Sequence, residues 1–107
     1  MSVSIGRLDK KTEKYDELVV SNQRIFKSIW EKAINERHLR LIGCCKILHK
    51  KDMKQILWEF EQVKDYVLCN DFSINDKEYI VSRIDEIVDR LDEFWNEIPG
   101  IEELDMG

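Results

Sequence analysis

The chain has 107 residues, 43% of them hydrophobic and 36% charged, with a net charge of −5. That is one domain's worth of chain with enough apolar side chains for a modest core, which excludes global disorder. One Pro and four Gly are too few turn residues for a many-stranded β protein, and no run approaches the roughly 18 apolar residues of a membrane span.

In chain order, MSVSIGRLDKK lacks the long apolar core of a secretory signal. Tyr15, Val19, Phe26, Trp30 and Ala33 then hold one helical phase, with Leu18 and Ile29 beside it, and the phase continues through Leu41, Cys44 and Leu48. A single helix of that length would be exceptional against a mean of about 11–12 residues. Breaks are expected at Ser21-Asn22, at Asn35 to His38, or at Gly43. The alternation His38-Leu39-Arg40-Leu41 would suit a short strand, but no second strand is evident to pair with it. The adjacent Cys44 and Cys45, in a chain with three cysteines, argue against a disulfide framework and for a cytoplasmic setting.

Met53, Ile56, Phe60, Val63 and Val67 predict a second helix, with Asp52 as N-cap and Asn70-Asp71-Phe72-Ser73 as the loop that follows. Ile80, Ile84, Ile87, Leu91, Phe94 and Ile98, widened by Val81, Val88 and Trp95, predict a third helix over 76–98. Asn75 with Glu78 has the character of its start, and Pro99-Gly100 stops it. Residues 99–107 read as a short acidic tail. The expectation is a single all-α domain over residues 1–107, a small bundle of three to five helices whose second and third members pack antiparallel.

Charge is polarised along the chain. Residues 75–107 hold eleven acids and three bases, whereas 24–54 hold nine bases and three acids. On the third helix Asp85, Glu86, Asp89, Asp92 and Glu93 fall off the apolar stripe and form a carboxylate face. Such a face is either simple solvation or a surface that steers and selects a basic partner. Its spacing does not fit an EF-hand loop.

Trp58 is the most informative single residue. At about 100° per residue it lies roughly 160° from Phe60, the centre of its helix's apolar stripe. It is either buried in a helix covered on two sides or an exposed aromatic anchor of the kind that dominates interfaces. Glu59, Glu61 and Asp65 are close enough in sequence to form its polar rim, while Trp30 and Trp95 fall on core stripes.

Chemistry is sparse. His38, Cys44, Cys45 and His49 carry ligand-type atoms, but adjacent cysteines do not readily share one zinc ion. No phosphate-cradling glycine loop or Ser-His-Asp set is present. The expected function is therefore non-enzymatic, with no catalytic residue, metal or cofactor. The chain would bind a basic protein through Trp58, Glu61, Asp65, Asp85, Glu86, Asp89, Asp92 and Glu93. The most concrete form is an inhibitor, immunity protein or antitoxin that masks a toxin such as a nuclease. The alternative is a helical subunit of a homo-oligomer or regulatory complex, with the third helix's stripe buried against a copy. Weak nucleic-acid binding through 24–54 ranks third, since the overall negative charge opposes it.

Overall fold

The computed structural model describes residues 2–9, 11–44 and 46–107. Its N-terminal segment is a hairpin. β1 (Ser2–Asp9) pairs antiparallel with β2 (Lys14–Asn22), with a bulge where Val3 and Ser4 shift register. Ile5, Arg7, Leu18 and Val20 are buried, whereas Leu8, Tyr15, Glu17 and Val19 are open to solvent. The turn is held by Asp9, whose carboxylate accepts from the Lys11 backbone N–H and from the Thr12 hydroxyl, each at 3.0 Å.

Tyr15 and Val19 therefore begin no helix. Their spacing of four matches one helical turn and equally matches two strand repeats, so it cannot separate the two periods. The change of period comes at Asn22, whose side chain accepts from the Ile25 N–H at 2.8 Å and caps the first helical turn. From there α1 (Gln23–Ile25) passes through a π-helical turn (Phe26–Trp30) into α2 (Glu31–Arg37). The run stops at His38, which takes a left-handed conformation with φ 55°. Two of the three expected break points thus mark the ends of this run, and Gly43 lies inside the short α3 (Arg40–Cys44).

A three-residue strand, β3 (Ile47–His49), and a 3₁₀ turn (Lys50–Asp52) lead into α4 (Met53–Cys69). Asp52 stands at the N-cap but makes no capping hydrogen bond. α5 (Ile74–Asn96) starts two residues earlier than expected, because Ser73, not Asn75, accepts from the Asp76 N–H at 3.2 Å. The stretch expected to be a tail contains β4 (Glu103–Met106). All strand pairs are antiparallel, in the order β2-β1-β4-β3, so β4 is an interior strand.

The fold is accordingly mixed α/β, not an all-α helical bundle. The sheet's inner face and the helices share one core that includes Ile5, Leu48, Leu104, Trp30, Phe60, Ile84 and Trp95. α5 is fastened to the hairpin by polar contacts as well as packing. Arg83 donates to the Val19 carbonyl, and the Asn22 N–H donates to the Tyr79 hydroxyl at 2.9 Å.

Arg7 is the unusual core residue. It stands directly opposite Asp16 in the hairpin register and only 4% of its surface is exposed. Its guanidinium donates to Asp16 at 2.8 Å, to the Phe94 carbonyl at 2.7 Å and to Glu97 at 3.2 Å, and its carbon lies 4.3 Å from the Phe94 ring centre. Burial alone would lower its pKa, but Asp16 and Glu97 outweigh burial and hold it above the ordinary value. One buried cation therefore ties both hairpin strands to the end of α5.

Candidate docking surfaces

α4 has a solvent-facing ridge. Lys54, Trp58, Glu61, Asp65 and Leu68 are all exposed, and their spacing places them within roughly 80° of one another around the helix. Trp58 is 50% exposed and Leu68 55%. Glu59 is not part of the rim expected for Trp58. It is 2% exposed, and its carboxylate accepts from the backbone N–H groups of Leu41 and Ile42, each at 3.0 Å. It caps the first turn of α3 and takes a further bond from Gln55. Nothing near Glu59 in sequence announces this, because its partner lies on an element 17 residues upstream.

The carboxylates chosen from sequence fall into two groups. Asp65 pairs with Arg37 at 3.1 Å and Asp85 with Lys64 at 2.7 Å; Glu86 lies between Arg83 and Arg90 of its own helix. Glu61, Asp89, Asp92 and Glu93 form no salt bridge among the described residues, although Glu61 acts on Lys64 through its charge and Asp92 accepts from Asn96 at 2.9 Å. The Lys64–Asp85 pair crosses from α4 to α5, and Lys64 flanks the Trp58 ridge, so the structure brings the two sets of residues onto adjoining helices. Asp85 also raises the Lys64 pKa by its hydrogen bond.

The basic residues of 24–54 are spread over α1, the π turn, α2, α3, the 3₁₀ turn and the start of α4. Arg24 pairs with Asp76 at 3.7 Å and Arg37 with Asp65. Of the His/Cys set, Cys45 and the Cys44 side chain lie outside the described residues. His49 faces Glu103 across β3 and β4 at 3.7 Å. Among the described residues no group of three or more His, Cys, Asp or Glu side chains is placed to hold a metal ion.

A second surface was not anticipated. The sheet face turned away from the helices presents Leu8, Tyr15, Val19 and Ile47, each 36–51% exposed. Glu17, Gly6, Asp105 and Ile47 lie in register across the four strands. Tyr15 leans over Gly6, where an added Cβ would come within 1.8 Å of the Tyr15 hydroxyl. Burial, then Glu17 and Asp105, raise the Tyr15 pKa. β4 meets β1 in register only at Ile5 and Gly6. On the Ser4 side the pairing continues through two hydrogen bonds with Gly107, whereas past Gly6 an open cleft of about 830 Å³ lies between Leu8, Asp9 and Lys11 on one side and residues 97–103 on the other.

Comparison with family models, curated proteins and solved structures finds no match. The two surfaces therefore stand on their own geometry. Among the described residues no helix is long and apolar enough to cross a membrane. The sheet-face residues were missed because each is legible only once the strands are paired. A local cue was the alternation of Glu103-Leu104-Asp105-Met106, which separates acids from apolar residues at period two.

Proposed function

We propose that this chain is a non-enzymatic, cytoplasmic binding module that masks a basic protein, in the manner of an inhibitor, immunity protein or antitoxin. The observation that carries the reading is Trp58, half exposed on the α4 ridge, beside a helix whose Asp89, Asp92 and Glu93 have no cation of their own among the described residues. A tryptophan held on a rigid helix loses little conformational freedom on docking, and such anchors carry much of an interface's energy. Unpaired carboxylates on the adjoining helix speed encounter with a basic partner and repel an acidic one. Asp65, Asp85 and Glu86 are already engaged within the chain, so they hold the scaffold and contribute less to steering.

The homo-oligomer alternative draws less support from α5. Ile80, Ile84, Ile87, Leu91 and Phe94 are buried within the chain's own core, and Val81 and Val88 are half-buried, which leaves less apolar surface there for a copy. The test is capture from the native cell with the wild-type chain and with Trp58→Ala in parallel. A basic protein held by the first and released by the second supports the reading; equal retention of the same proteins by both contradicts it.

A further inference from the structure

The open face of the sheet is a surface that the α4–α5 reading does not use. An antiparallel sheet can leave one face to water, but the usual pattern then places polar residues outward. Here Leu8, Tyr15, Val19 and Ile47 stand outward on three of the four strands, each more than one-third exposed. They are an incomplete layer of the kind that two-layer folds bury beneath helices.

The charges on that face are of one sign. Glu17, Glu103 and Asp105 point outward, with His49 in register beside Glu103 at 3.7 Å, and no Lys or Arg on a strand accompanies them there. The adjoining cleft adds Asp9, Glu97 and Glu102 against Lys11. A second copy docking face to face would bring these carboxylates against their own equivalents, which is repulsive. A cationic occupant meets no such penalty. Four strands about 4.8 Å apart span about 14 Å, enough to seat one helix of about 10–12 Å diameter.

We propose that the open sheet face docks a cationic amphipathic helix from another protein, its apolar side on Leu8, Tyr15, Val19 and Ile47 and its Lys or Arg side chains toward Glu17, Glu103 and Asp105. Gly6 shapes the seat. Without a side chain there, the hydroxyl end of the Tyr15 ring reaches over Gly6, whose register neighbours are Glu17 and Asp105, and an aromatic ring among carboxylates is a favourable place for a cation. The contact stands apart from the α4–α5 surface and would let the molecule hold two segments at once.

The test uses the ¹⁵N-labelled full chain and a synthetic Leu/Lys amphipathic peptide of about 18 residues, five helical turns. A scrambled peptide of the same composition and a Leu/Glu analogue serve as controls. The expected result is saturable shifts of the Leu8, Tyr15, Val19, Ile47 and Asp105 amides with the amphipathic cationic peptide alone. Glu17→Lys with Asp105→Lys, and independently Tyr15→Ser, should each weaken binding about tenfold or more, and Trp58→Ala should leave it unchanged. Shifts confined to α4 and α5, equal response to the scrambled peptide, or no response at about 1 mM peptide would overturn the proposal. So would a concentration-dependent dimer that protects the same five amides.

Discussion

The two faces of the sheet differ more sharply than any other neighbouring regions of the molecule. Inward, Ile5, Leu18, Leu104 and Met106 join the helices in one core, and the cation among them, Arg7, has three acceptors on its terminal nitrogens while its buried Nε–H has none. Outward, side chains one residue away on the same strands are open, apolar and anionic. Strand geometry makes this separation possible, since successive residues point to opposite faces and can answer to different demands. Inner residues should govern stability and outer residues binding, and the following changes break or sharpen that division.

The largest effect is expected inside. Leu104→Ala should cost about 2–5 kcal/mol in urea unfolding, while its outward neighbour Glu103→Ala stays within about 0.5 kcal/mol. Similar small values for both would mean that β4 is not part of the core. Arg7→Met comes next, at about 1–3 kcal/mol. It strands Asp16 beside the core, but Glu97 is exposed enough to be rehydrated. A gain in stability would show that the buried ion-pair cluster is replaceable by packing. Glu59→Ala should cost about 1–2 kcal/mol by leaving the Leu41 and Ile42 N–H groups without their acceptor. Its exposed neighbour Trp58→Ala should change stability by no more than about 0.5 kcal/mol.

The smallest effect belongs to the hairpin turn. Asp9 has its pKa lowered, first by the Lys11 N–H and then by the Thr12 hydroxyl. A carboxylate with a depressed folded-state pKa stabilises the fold above its ordinary value of 3.8 and loses that contribution as pH falls through the folded value. Asp9→Asn should therefore flatten the acid limb of the stability profile below about pH 4 and leave the neutral region nearly unchanged. An unaltered acid limb would show that the turn does not hold Asp9 ionised.

Much of the helical layer was legible in the residues. The 3-and-4 spacing of Met53 to Val67 and of Ile80 to Phe94 marks α4 and α5 without tertiary information, and angular arithmetic alone separated Trp58 from its helix's apolar stripe. The sheet was not legible, for three separate reasons. Tyr15 and Val19 have a spacing shared by both periods. β3 has only three residues, too few to show alternation. In β4 the two core residues, Leu104 and Met106, are embedded among acids, so composition overrode the pattern. Glu59 was misplaced for a different reason: its role depends on α3, and a contact across the fold leaves no local trace.

The most direct measurement of the central claim is association kinetics between the chain and the basic protein proposed as its partner, followed from low to high salt. Wild type should associate fast at low ionic strength and slow steeply as salt rises. The triple change Asp89→Lys, Asp92→Lys and Glu93→Lys should slow low-salt association by about tenfold or more and remove that dependence. Identical rates and identical salt slopes for the two chains would contradict the claim that these carboxylates face a partner.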